Sequence, residues 1–254
     1  MFIENDYPIL EFDTAADGII RPSALHDVDL RADKMVITFF PEAVEMLLEE
    51  GKIALRTVIS GENPIRVYAF TDEPDVLLIL GFVGCPACAS NLDFFNAKGI
   101  QKVMFCGGGG VLDKNIDVGR ILVVDSAIRD EGFSYHYLKP SRYVFADKKV
   151  VQTITQYLSE RGIPYITGRT WTTDALFRET PERIAHRREE GAKIVEMEQA
   201  GCLAVAQCRG FAYGAVIYAG DDVSQSEWSN RSWRTHRSIR YDLVMLCKKL
   251  VNLI

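Results

Sequence analysis

Histidine and tryptophan are scarce in this chain, with 4 and 3 among 254 residues. The histidines, His26, His136, His186 and His236, sit at no spacing that would assemble a metal site, so no metal is expected. Basic residues are not in excess: 29 Lys plus Arg against 35 Asp plus Glu leave a net charge of −6. Neither nucleic acid nor a membrane surface is therefore an expected partner. Long apolar runs are missing too. The uncharged stretch Val76 to Asn91 falls short of the about 20 residues that span a bilayer and is interrupted by Gly, Pro and Asn. At the N-terminus, Glu4 and Asp6 stand where a signal peptide carries basic residues, and a cytoplasmic location is expected. The cysteines form no disulfide framework: Cys106, Cys202, Cys208 and Cys247 lie in apolar segments, as reduced core thiols do.

What remains is an ordinary globular composition, 48% hydrophobic and 25% charged, with enough apolar material for a substantial core. Runs rich in β-branched residues predict strands at Met35 to Thr38, Ile65 to Phe70, Val76 to Val83, Lys102 to Cys106, Arg120 to Val124, Pro164 to Thr167 and Ala212 to Tyr218. Helical spacing predicts helices over Glu42 to Glu50, Ala87 to Ala97 and Lys148 to Glu160. Another helix should start near Thr180, with Thr180 as cap and Pro181 in the first turn. One from Glu196 to Arg209, ended by Gly210, is apolar on nearly every side and belongs in the middle of the molecule. Ile239, Leu243, Leu246, Leu250 and Leu253 form a stripe for a closing outer helix. The alternation predicts one α/β domain over residues 1–254, with 1–34 as an N-terminal extension. Its architecture would be a mixed, mostly parallel, twisted sheet flanked by helices. Ligands bind such sheets at the carboxyl ends of strands.

Four stretches have the residue types for chemistry. Gly107-Gly108-Gly109-Gly110 follows a predicted strand; such a run either makes a tight turn or lets backbone amides approach a ligand closely. Its spacing matches neither a Walker loop nor a dinucleotide fingerprint. Glu196-Met197-Glu198 opens the central helix, where two carboxylates need partners or a hydroxyl-rich ligand. Asp221-Asp222 follows a buried strand. Each carboxylate there resists ionisation of the other, so one could remain protonated and serve as an acid, unless the pair is only a turn or cap. Cys85-Pro86-Ala87-Cys88 has the spacing of a thiol redox pair at a strand-to-helix junction.

In this order, these stretches resemble the nucleoside phosphorylase superfamily, which includes purine nucleoside phosphorylases, uridine phosphorylases and methylthioadenosine nucleosidases. The resemblance runs from about Met35 to Arg234. Its most specific element is Val195-Glu196-Met197-Glu198-Gln199-Ala200-Gly201, close to the family's Val-Glu-Met-Glu-Ala-Ala. Gly107 to Leu112 is similar to the family's Gly-Thr-x-Gly-Gly-Leu turn. Ala127 to Gly132 with Tyr135 to Tyr137, Thr172 to Glu179, and Asp221-Asp222 keep the same register.

The resemblance implies an enzyme that cleaves the bond between a ribose carbon and a base nitrogen. It assigns Asp221 as the acid that protonates the leaving base, and Glu198 with Met197 and Glu196 as the ribose site. Phe177, Leu176 and Asp222 fall at the base. Gly107, Gly108 and Gly109 form the cradle for an anion or substrate, and Cys85-Pro86-Ala87 becomes a packing element; the cradle's amides make only a weak anion site unless Arg56 or another arginine, from this chain or a neighbouring subunit, reaches in. It also implies a homo-oligomer, inorganic phosphate as the expected co-substrate and acceptor, and no metal or organic cofactor. The alternatives are a hydrolase on the same fold and a nucleoside-binding protein without turnover. The chain departs from the family at the phosphate site. Phe39 with Phe40-Pro41, Ala43, Phe105 and Gly108 stand where phosphorylases carry a Gly-Asp-Pro turn, two arginines and a Thr or Ser. The nucleosidases' water-activating glutamate also aligns with Ala43, next to Glu42. Thr180 and Glu182 stand near the Gln and Arg of pyrimidine-specific relatives, which leaves purine the better match.

Overall fold

A computed structural model describes residues 1–15 and 17–254; Ala16, within the 1–34 extension, lies outside the described residues. In chain order the strands are β1 (Phe2–Ile3), β2 (Phe12–Asp13), β3 (Lys34–Thr38), β4 (Ile53–Ile59), β5 (Ile65–Phe70) and β6 (Val76–Leu80). They continue with β7 (Lys102–Val111), β8 (Ile121–Asp130), β9 (Tyr143–Phe145), β10 (Tyr165–Thr173), β11 (Ala192–Glu196) and β12 (Ala212–Asp222). The helices are α1 (Pro41–Glu49), α2 (Cys85–Ala97), α3 (Lys148–Glu160), α4 (Pro181–Glu189), α5 (Gln199–Arg209) and α6 (Arg237–Leu250).

The expected α/β alternation builds one mixed sheet in the order β11-β10-β8-β12-β7-β3-β6-β5-β4, with β9 beside β8. Strands β12, β7, β3 and β6 run parallel, as do β8, β10 and β11. Antiparallel pairings join β12 to β8, β11 to β7, and the outer strands β4 and β5 to β6.

Alternation along the strands sorts side chains to two faces. Met35 and Ile37 join the core under α2 and α5, with Cys88, Leu92 and Leu203. Val36 and Phe40 join the core under α1, α3 and α6, with Leu47, Ile154, Leu243 and Cys247. Each large aliphatic or aromatic side chain removed from water here contributes roughly 2–3 kcal/mol. Local chemistry sets the helix ends. The Asp147 carboxylate accepts from the Lys149 amide at 2.7 Å at the start of α3. Thr180 caps α4 with Pro181 in its first turn, and Gly210 (φ 76°) ends α5 in the left-handed conformation.

Several boundaries differ from the sequence pattern. Strand β7 runs through the four glycines to Val111, so they form extended strand rather than a turn. Helix α5 starts at Gln199, because Glu196 ends a strand, β11, that the apolar run through Val205 concealed. Strand β12 includes Asp221 and Asp222. Leu253 lies beyond α6 and is exposed, as is Cys208. The other five cysteines are buried, and all six are free.

Candidate active site

The sheet brings the acidic stretches to one strand end. Val195 of β11 pairs with Gly110 of β7, and Asp222 of β12 pairs with Val111. Glu196 and Asp221 therefore leave the sheet on either side of the end of β7.

On the β11 side, the first amides of α5 lack intrahelical partners, and Glu196 meets them. Its Oε2 accepts from the Glu198 amide at 2.6 Å and the Gln199 amide at 2.7 Å. The Thr172 hydroxyl donates to Glu196 Oε1 at 2.5 Å and accepts from the Ala200 amide at 3.0 Å. Glu198, only 7% exposed, turns the other way. Its Oε1 accepts from the Gly84 amide at 2.8 Å and its Oε2 from the Met197 amide at 3.3 Å. Two buried carboxyls this close do not both ionise readily. Burial first, then the charge of Glu196, raises Glu198 above the usual carboxylate range. Glu196, with three donors, holds the charge. Met197 is half-buried and leaves an apolar surface beside the pair.

Helix α2 docks α5 closely at this point. A Cβ on Gly201 would stand 2.8 Å from Cys85 Sγ, and Cys88 Sγ lies 3.8 Å from Cys202 Sγ. Burial pushes the Cys85 thiol well above its ordinary value, the reverse of an activated redox thiol. The Cys85 to Cys88 stretch is packing.

On the β12 side, Asp221 is half-buried rather than buried, and its Oδ2 accepts from Trp228 Nε1 at 2.7 Å. Asp222 is buried and organises the following loop. It accepts from the Ser224 amide at 2.8 Å, and its backbone pairs with Ser229. A cavity of about 270 Å³ opens beside it, lined by Pro181, Ile184, Arg188, Val223 and Ser224 among others. Leu176 and Phe177 sit on an exposed turn, Leu176 53% and Phe177 94% exposed, so Phe177 is not packed within one chain. The neighbouring Glu179 has an environment that the sequence pattern did not reveal. Burial, with the charge of Asp221 added, pushes its carboxyl up to about 7. Its only signal in the sequence is its place at the end of the Thr172 to Glu179 stretch.

The glycines of β7 serve close approach. A Cβ on Gly109 would collide with Ile194 and the Val195 carbonyl, and one on Gly108 would lie 2.7 Å from the Trp233 ring. Phe39 packs on Phe105 with ring centroids 5.1 Å apart. Arg56 does not join these glycines in this chain. It lies on β4, at the far edge of the sheet, and donates to the Leu30 carbonyl at 3.1 Å and the Pro74 carbonyl at 2.9 Å. Among the described residues, no group of three or more His, Cys, Asp or Glu is placed to hold a metal ion. No described helix is long and apolar enough to cross a membrane.

Comparison with known proteins gives a consistent result. A guanosine phosphorylase of Halorubrum lacusprofundi is 24% identical over 59% of this chain and 62% of its own length, so the chain spans less than two thirds of that relative. Among solved structures, uridine phosphorylase from Vibrio fischeri superposes with a TM-score of 0.73 at 15% identity, covering 92% of this chain and 95% of that one. The 5'-methylthioadenosine/S-adenosyl homocysteine nucleosidase of Campylobacter jejuni gives 0.68 at 18%, covering 86% and 98%. The model of the phosphorylase superfamily matches residues 33–239, nearly the whole span from β3 to the start of α6. By that match the chain belongs to the phosphorylase superfamily.

Proposed function

We propose that this protein cleaves the N-glycosidic bond of a nucleoside, with a purine nucleoside preferred. The observation that carries this reading is the buried Glu196 and Glu198 pair at the start of α5, with Asp221 leaving the sheet on the other side of β7. Glu196 saturates the helix amides, which leaves the Glu198 carboxyl to hold ribose hydroxyls while Met197 lines the sugar's apolar side. As the C–N bond breaks, the sugar becomes cation-like and negative charge builds on the base. Glu179, whose carboxyl burial and then the charge of Asp221 raise to about 7, supplies the proton that Asp221 passes to the departing ring nitrogen. Asp222 fixes the loop beside the base, and Leu176 and Phe177 close the base side from their exposed turn. That exposure supports a homo-oligomer in which a second copy covers them.

Phosphate is the acceptor the family resemblance suggests. Water is the second reading, favoured by the side chains at the aligned phosphate positions: Phe39, Phe40, Ala43, Phe105 and Gly108 offer no charged donor. In that reaction the water oxygen bonds to the ribose carbon, the base leaves with the donated proton, and a water proton passes to solvent. Incubation with a nucleoside panel, with and without phosphate, tests both readings. Ribose 1-phosphate identifies phosphorolysis and free ribose identifies hydrolysis. Saturable nucleoside binding without product overturns the catalytic proposal.

A further inference from the structure

The face of the sheet under α1 and α6 carries a side-chain stack that the ribose and base sites do not use. The six-membered ring of Trp233 covers two backbone positions: its Cζ3 lies 2.7 Å from where a Cβ on Gly108 would stand, and its Cε3 lies 3.1 Å from one on Gly220. The Tyr218 hydroxyl donates to the Trp233 carbonyl, and the two rings are 5.9 Å apart. Beneath them is Arg240, 6% exposed. Its guanidinium carbon is 4.6 Å from the Phe40 ring and 4.9 Å from the Trp233 ring. One terminal nitrogen pairs with Glu42, and its Nε is buried with no hydrogen-bond partner among the described residues.

This stack occupies the acceptor corner, between the Phe39-Phe40-Pro41 turn and Gly108. A phosphate dianion there requires charge-assisted donors. Among the described side chains, the cation of the stack, Arg240, is paired with Glu42 and held between two rings, where desolvation strengthens its attraction to their faces. The side-chain faces of Gly108 and Gly220 lie under an indole. An arriving anion would have to displace Trp233 and then meet the Glu42 carboxylate.

We propose that Trp233, held by the Arg240 and Glu42 pair, closes this corner against phosphate and so selects water as the acceptor. The inference rests on the nucleoside reading only for the meaning of the corner; the closure itself is a binding property and is tested without nucleoside. Inorganic phosphate is titrated calorimetrically into the full chain, into Trp233→Ala, and into the double variant Trp233→Ala, Glu42→Gln, with thermal melting as the check on folding. The wild type should show no saturable binding. The single variant should bind, and the double variant should bind about ten-fold more tightly or better, because Arg240 then offers its full charge and its free Nε. Saturable phosphate binding by the wild type overturns the proposal and needs no variant. A double variant that melts cooperatively yet ignores phosphate overturns it equally. Trp233→Leu, which retains an apolar side chain, is the substitute if the alanine variants do not fold. Failure to cleave any nucleoside would sink the functional reading and leave this titration interpretable.

Discussion

The proposed sugar corner and the proposed acceptor corner adjoin the same strand, β7, and are built in opposite ways. At the sugar corner, Glu196, Glu198, Thr172 and the first amides of α5 exchange hydrogen bonds until every helix-end donor they reach is met. At the acceptor corner, rings and one neutralised arginine fill the space. A polar cluster that is satisfied by itself, yet keeps one carboxyl above its usual range, is prepared for hydroxyls. An aromatic stack with its charge cancelled is prepared for exclusion. On the proposed reading, two regions that adjoin one strand keep and lose different halves of one family's chemistry.

The contrast can be broken in order of expected effect. Asp221→Asn should lower kcat/KM for a purine nucleoside by about a hundred-fold or more, the range for losing a general acid, with nucleoside binding retained. Undiminished turnover would place the acid elsewhere, with Glu179 the next candidate. Glu198→Gln should weaken the sugar side by about ten- to a hundred-fold, read as a rise in KM for ribonucleosides. Indifference of the wild type to the 2'- and 3'-hydroxyls would remove Glu198 from that role.

Stability against pH should sharpen the same comparison. Burial and the charge of Glu196 raise Glu198 from 4.5 to about 8. Its proton therefore stabilises the fold fully below about pH 4.5, and the contribution is lost as the pH rises through about 8. Glu179, raised to about 7, adds loss of the same sign. Denaturant unfolding between pH 5 and 9 should show this decline, and Glu198→Gln should flatten part of it; an unchanged slope would mean that Glu198 is ionised throughout. The smallest effect is expected at Arg56. Arg56→Ala removes two hydrogen bonds to carbonyls and should cost about 1–2 kcal/mol of stability while leaving the sugar product of the reaction the same. A switch of product would show Arg56 acting on the acceptor.

The differences between pattern and structure have a common origin. The alternation of strands and helices was legible because β3, β6, α1 and α3 each carry their own period. Strand β11 was not, because the short run Ala192–Glu196 abuts the helix from Gln199 with no Gly, Pro or other turn residue between them. Strand β4 was missed because only Ile53 and Ile59 of its seven residues are buried. Arg56 was drawn toward the glycines by its charge, whereas the sheet order puts three strands between β4 and β7. Glu179 had no local signature, since its raised carboxyl depends first on burial and then on the charge of Asp221, which lies on β12.

By itself the sequence determined the sheet-and-helix alternation, the acidic stretches and the lack of charged donors at Phe39, Phe40, Ala43, Phe105 and Gly108, since each depends on residue type and spacing within a short segment. Only the tertiary structure decided that Trp233 covers Gly108, that Arg240 finds Glu42, and that Glu198 meets the Gly84 amide while Thr172 reaches Glu196. Those outcomes rest on contacts between distant segments and on which buried charge the surroundings can neutralise, and neither is written in any local pattern.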